Sequence, residues 1–435
     1  MQQLSLSPPP STFELNRVRR SSRSLVLGGL LAIGSSLLTL TPVMAEGIQK
    51  LADFNGANGS RSYAGLTLGT NGLFYGTTQA GGSSDQGTLF SFNPTGNVLT
   101  SVANFDGING AYPGASLYLG TDGLFYGTTN SGGSSNLGTI FSFNPTGNVL
   151  TSLSTFNGAN GSIPLASLTL GTDGLFYGTT SSGGSFGKGT IFSFNPTGNV
   201  LTSLSTFNGA NGSSPLDSLT LGTDSLFYGT TQYDGSFGRG TIFSFNPTGN
   251  VLTSLASFDV INGAYPSASL SLGTDGFFYG TTIYGGSSDW GTLFSFNPTG
   301  NVLTSLASFD GNNGIGPLDS LTLGTDGLFY GTTIYGGSSD NGTIFSFNPT
   351  GNVLTSLASF DGANGAFSSA SLTLGTDGLF YGTTQGGGTS DAGTIFSFDP
   401  NSSTPVPEPS ALLGTTIAVA LGATLKRKSA HKHKQ

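Results

Sequence analysis

Between Glu46 and Pro400 the chain carries twenty acidic side chains, four basic ones (Lys50, Arg61, Lys188 and Arg239), no His and no Cys. That stock limits the chemistry available. A Ser or Thr nucleophile would lack its usual base, and without cysteine there is neither a disulfide framework nor a thiolate metal site. Two arginines cannot build the arginine cluster that a sialidase-type site requires. Paired aspartates could in principle hydrolyse a glycosidic bond, which needs carboxyls roughly 5–9.5 Å apart. Six of the nineteen aspartates there, however, recur at one turn position: Asp122, Asp173, Asp224, Asp275, Asp326 and Asp377, with Asn71 in the first copy. Such a residue is read as a turn former, because a short carboxylate bonds its own backbone. Asp106…Asn109, Asp310…Asn313 and Asp361…Asn364 put oxygens in glycine-rich loops, but the calcium-loop pattern D-x-[DN]-x-[DN]-G is missing. Asn55, Asn157 and Asn208 remove the charge in three further copies. The expectation is no catalytic residue, no metal centre, no cofactor and no enzyme. The body's net charge of −16 would repel a phosphate backbone, so nucleic acid is not an expected partner.

The elements that position these residues come from one repeated unit. Phe54, Phe105, Phe156, Phe207, Phe258, Phe309 and Phe360 are 51 residues apart, and Tyr75, Tyr126, Tyr177, Tyr228, Tyr279, Tyr330 and Tyr381 keep the same spacing. In the second unit, strands are predicted at Ser116–Leu119, Leu124–Thr129, Thr139–Phe143 and Val149–Phe156. Gly120-Thr121-Asp122-Gly123 joins the first pair, the glycine-rich Ser131–Leu137 the second, and Asn144-Pro145-Thr146-Gly147, read as a type I turn, the third. Four strands at this period are the pattern of a propeller blade. The last unit lacks its fourth strand after Asp399, while Ile48–Phe54 supplies a fourth strand with no first three before it. The fold expected is therefore all-β: a seven-bladed β-propeller of four-stranded blades, 28 strands in all, in which the N-terminal strand closes the last blade and leaves no open ring edge. A solenoid would need end caps instead.

Comparing the copies marks one face. The loop between second and third strands and the crossover to the next blade should open together, opposite the two hairpin turns. The turns barely vary. One loop position reads Gln86, Leu137, Lys188, Arg239, Trp290, Asn341 and Ala392, and one crossover position reads Arg61, Tyr112, Ile163, Ser214, Tyr265, Gly316 and Phe367. Four consecutive blades gather Lys188, Tyr233, Arg239, Tyr284, Trp290 and Tyr335, the candidate ligand face. Aromatic rings with polar tips suit sugar rings or a partner protein; drift in solvent loops, with tyrosines packed on their neighbours, is the competing reading.

Both ends read as addresses. Arg17–Arg23 is basic, Leu25–Leu40 apolar, and Pro42-Val43-Met44-Ala45 compact, the order of a secretory signal (residues 1–45) cleaved between Ala45 and Glu46. The apolar stretch is shorter than the ~20 residues that span a bilayer. After the propeller (46–400) and a linker (401–409), Val406-Pro407-Glu408-Pro409-Ser410 leads into an apolar segment (410–425) and a basic tail (426–435) opening with Lys426-Arg427-Lys428. This end resembles a PEP-CTERM sorting signal. The resemblance implies Pro407, Glu408 and Pro409 as the sorting motif and an exosortase-type processing enzyme as partner. It also implies membrane contact only through the C-terminal segment before processing, and export to the cell envelope, cell surface or extracellular matrix. A basic cluster after an apolar segment stays inside, which agrees. The run Asp122-Gly123-Leu124-Phe125-Tyr126-Gly127-Thr128-Thr129 with Gly138-Thr139-Ile140-Phe141 resembles the GloVer tandem repeats of exported proteins, a family that implies no known reaction. The function expected is a structural or interaction propeller, or a carbohydrate-binding module using one loop face, with extracellular polysaccharide or a surface protein as partner; polysaccharide-acting chemistry ranks last.

Overall fold

The computed structural model describes residues 47–402. The expected cleavage site at Ala45 and Glu46, the Pro407-Glu408-Pro409 motif, and the segments 1–45, 410–425 and 426–435 lie outside the described residues. Every regular element among the described residues is a strand, and the strands form seven antiparallel sheets, one per repeat. These are the seven blades of a β-propeller.

Blade 2 shows why the sequence folds this way. Its strands are Tyr118–Leu119, Phe125–Thr129, Thr139–Asn144 and Val149–Thr155, paired in that order. The second strand is buried throughout, as strands sandwiched between neighbouring sheets must be. Its glycine is required by close approach: a Cβ at Gly127 would lie 2.5 Å from the Phe141 ring of the third strand. Thr129 and Thr139 hydroxyls bond each other at 2.9 Å, so these buried polar groups are satisfied. The inner ladder is shorter than the predicted Ser116–Leu119. Ser116 is instead engaged by the neighbouring blade, its hydroxyl accepting the Gly65 N–H at 2.9 Å.

The third connection runs one residue beyond the predicted turn from Asn144 to Gly147. Asn144 pairs directly with Val149, and both Gly147 (φ +99°) and Asn148 (φ +56°) are left-handed. Asn148 prolongs the loop because asparagine tolerates that region. The Asn144 side-chain oxygen accepts the Thr146 N–H at 2.8 Å.

Packing between blades supplies the core. Tyr126, Ile140 and Phe156 of blade 2 meet Leu168, Phe176, Phe192 and Phe194 of blade 3, and equivalent clusters fill the other junctions. At the last junction Tyr381, Ile395 and Phe54 meet Leu66, Phe74, Phe90 and Phe92, so the ring is closed. Ile48–Asp53 pairs with Thr394–Phe398 as the fourth strand of blade 7. The Thr373 hydroxyl of blade 7 donates to the Leu66 carbonyl of blade 1 at 2.6 Å.

One strand exceeds the expected set. Ala264–Pro266, in the crossover to blade 5, pairs with the extended second strand Phe278–Tyr284 and makes that blade five-stranded.

Candidate binding face

In blades 4, 5 and 6 the crossover runs antiparallel to the far end of the second strand: Ser213 opposite Tyr233, Ala264 opposite Tyr284 and Ile315 opposite Tyr335. This places the crossovers and the loops between second and third strands on one face. The predicted residues there are brought partly together. The Tyr265 ring lies 5.6 Å from Tyr233 and 6.0 Å from Tyr284, edge to face in both cases. The Arg239 guanidinium sits 5.7 Å over the same Tyr265 ring. Tyr265 is thus the hub of the cluster, although it belongs to the crossover column rather than to the six residues first singled out. Burial raises Tyr233 and Tyr284 above the ordinary phenol value; Tyr265 adds to both, and Asp289 to Tyr284 ahead of Tyr265.

The other three predicted residues have separate partners. Lys188 of blade 3 forms an ion pair with Asp234 of blade 4, and its ammonium holds Asp234 below the usual carboxylate range, outweighing burial. Both are partly exposed, so the pair adds little stability. The Trp290 ring lies against Gly311, where a Cβ would be 2.4 Å from it, yet it remains 40 % exposed. Tyr335 packs on Phe367 at 5.4 Å, toward blade 7.

Three features of this face were missed in the sequence. Phe186 and Phe237 are each 60 % exposed, two residues before Lys188 and Arg239. Their column holds serine in the other five copies (Ser84, Ser135, Ser288, Ser339 and Ser390). Val260 adopts φ +80° where the six other copies place glycine; a β-branched residue there is strained. Ile261 beside it is 81 % exposed.

The third omission lies at the axis. Asp217 and Asp319 occupy a column that is otherwise alanine: Ala64, Ala115, Ala166, Ala268 and Ala370. Asp217 of blade 4 accepts the Ser269 N–H of blade 5 at 2.9 Å and the Ser320 hydroxyl of blade 6 at 3.5 Å. A side chain can reach two blades along only where the inner strands converge. Asp319 accepts the Ser320 hydroxyl at 3.2 Å and the Ser371 N–H of blade 7. Burial, and then the nearby Asp217 carboxylate, push Asp319 up to about 8. The aspartates of the hairpin turns behave as expected: Asp122 accepts the Leu124 N–H at 3.1 Å and the Tyr126 hydroxyl at 2.7 Å.

The Gloeobacter/Verrucomicrobia repeat matches residues 31–228 and again 216–407. The chain belongs to that family. No curated protein matches it. Among solved structures, this Gloeobacter/Verrucomicrobia repeat chain is similar to the extracellular domain assigned to a hybrid two-component system of B. thetaiotaomicron, with 10% identity and a TM-score of 0.55. The match covers 80% of this chain and 39% of that one, so the chain spans well under half of that structure's length. It is also similar to an oligogalacturonate lyase of Vibrio parahaemolyticus, with 11% identity, a TM-score of 0.50, and coverage of 82% and 94% of the two chains. At such identities the likeness is one of fold.

Proposed function

We propose that this chain is an exported interaction propeller of the cell surface or extracellular matrix, not an enzyme, and that it binds through the crossover face of blades 3 to 6. Its N-terminal segment would direct secretion. The Pro407-Glu408-Pro409 segment, which resembles a PEP-CTERM signal, would hand it to an exosortase-type enzyme. The observation that carries the reading is the concentration of exposed aromatic rings on one sector of one face. Tyr233, Trp290, Phe186 and Phe237 stand out of an otherwise repetitive surface, beside Arg239 and Lys188. Flat rings with a polar or cationic neighbour stack on sugar faces and hydrogen-bond their hydroxyls, so extracellular polysaccharide is the ligand class favoured over a surface protein.

Trp290 is the chain's only tryptophan and reports on this face directly. Titration with polysaccharide from the producing cells, with turnover assayed in parallel, should give a saturable fluorescence change and no shortening of the polymer. Trp290→Ala and Phe237→Ala should each weaken binding, read by sedimentation for the variant that lacks the fluorophore. Binding that survives loss of Trp290, Tyr284 and Tyr335 together would exclude the face, and depolymerisation would exclude the non-enzymatic reading.

A further inference from the structure

The loops of the crossover face follow one rule, and blade 4 departs from it. In five blades the side chain at the variable loop position lies over a glycine of the next crossover, among them Gln86 over Gly107, Lys188 over Gly209 and Trp290 over Gly311. A Cβ at Gly209 would lie 2.9 Å from the Lys188 ammonium, and one at Gly107 would lie 2.8 Å from the Gln86 side-chain oxygen. The space above that glycine is therefore where the loop side chain goes. After blade 4 the glycine is replaced by Val260. It keeps the glycine conformation, φ +80° against +92° at Gly209 and +90° at Gly311, so its Cβ points into the same space and its methyl groups fill it. Arg239, the loop residue of blade 4, is found elsewhere, with its guanidinium 5.7 Å over the Tyr265 ring.

That placement leaves Arg239 without an anion. Among the described residues the ion pairs are Lys50 with Asp53 and Lys188 with Asp234, and Arg239 is in neither. Its side chain makes one long hydrogen bond, from Nη1 to the Tyr265 hydroxyl at 3.4 Å. A guanidinium carries five N–H donors, so most of its donors have no protein acceptor. The acids of the surrounding loops are turned to other groups. Asp259 accepts the Asn262 N–H of its own crossover and Asp289 the Gly285 N–H of its own loop, each at 2.9 Å, and Asp234 is neutralised by Lys188. A guanidinium laid on a ring offers its N–H edge as a planar fork, the geometry that matches a carboxylate or a sulfate.

We propose that the crossover face selects an acidic polysaccharide, and that Val260 is the positioning residue that keeps Arg239 over Tyr265 and open to the polymer's carboxylate or sulfate groups. The proposal rests on the polysaccharide reading above and adds the charge of the polymer to it. Tyr233, Tyr284 and Trp290 offer stacking that any sugar ring accepts, so selection by charge falls to Arg239. The body's net charge of −16 does not oppose this, because exposed charges more than about 8 Å apart are largely screened at physiological salt and the groups in contact decide. The strain at Val260 then has a use: left-handed backbone at a β-branched residue persists where the surroundings hold it in place for a site.

The test separates the envelope polysaccharide of the producing cells by anion exchange into neutral and acidic fractions and titrates each against the secreted protein, followed by Trp290 fluorescence and by sedimentation. The acidic fraction should bind about tenfold tighter, the worth of a charge-assisted hydrogen-bonded pair. Carboxyl reduction of that fraction identifies the group: a lost preference assigns carboxylate and a retained one assigns sulfate. Arg239→Gln should remove the preference, and Arg239→Lys should restore only part of it. Val260→Gly should cut the preference severalfold while raising Tm, a combination that loss of structure does not give, and Val260→Ile should keep the preference. Equal affinity for the two fractions, or wild-type preference in Arg239→Gln, would overturn the proposal and leave the polysaccharide reading standing. Wild-type preference in Val260→Gly would overturn the role given to Val260, and failure of both fractions to bind would take down both readings.

Discussion

On the turn face, Asp122, Asp173, Asp224, Asp275, Asp326 and Asp377 each accept the hydroxyl of the tyrosine four residues on. On the crossover face, the equivalent seven-fold loop position holds seven residue types. Both faces close the same strands, so the difference lies in what each side chain satisfies. The turn aspartates serve two buried or turning groups at once, and burial together with the carboxylate raises the tyrosine hydroxyls well above their ordinary value. The loop residues mostly answer to solvent or to one neighbour. Repetition therefore marks where folding leaves no choice, and divergence marks where a ligand could be accommodated.

That comparison can be broken in three ways. Both faces presuppose a closed ring, so deletion of Gly47–Phe54 should have the largest effect. It removes the fourth strand of blade 7 and the wholly buried Phe54, whose loss alone is worth about 3–5 kcal/mol. Aggregation or a much lower melting temperature is expected; a variant that melts like the intact protein would show that the ring does not need this strand. Next, Asp224→Ala leaves the Tyr228 hydroxyl without its acceptor and should lower stability by about 1–3 kcal/mol in chemical denaturation, with polysaccharide binding unchanged. Equal losses of binding and stability would mean that the two faces are not separable. The smallest effect should come from Val260→Gly, which restores the residue of the other copies at φ +80° and should stabilise by about 1 kcal/mol. A destabilised variant would show that the Val260 side chain contributes packing that outweighs its backbone strain.

Blade number, strand order and ring closure were legible in the sequence because each rests on a hard requirement: a fixed period, buried Phe and Tyr in the second and third strands, and a strand missing at one end but present at the other. The fifth strand of blade 5 was not. Ala111-Tyr112-Pro113 makes only an isolated bridge, Ala111 with Ser131, whereas the same three residue types at Ala264–Pro266 form a second rung with Thr282, so the propensity of the crossover itself does not mark the extra strand. The candidate face was half legible. Tyr233, Arg239 and Tyr284 do converge, but on Tyr265, and Lys188 and Tyr335 turn to other neighbours. Phe186 and Phe237 were readable as departures from a serine column. Asp217 and Asp319 were equally readable as departures from an alanine column, yet grouped by residue type they merge with the turn formers, and only the geometry separates them.

The closing strand sets a schedule for the chain's assembly. Asp53 bonds Thr389, 336 residues away, and the first of the described strands pairs with the last of them. Contacts of such long sequence separation form slowly. Until the seventh repeat has been delivered, the first strand has no partner and the growing sheets have no complete ring to join. An arrested or truncated chain would carry six finished blades and an unsatisfied edge at the gap, a state that quality control could distinguish from the finished molecule by its stickiness alone.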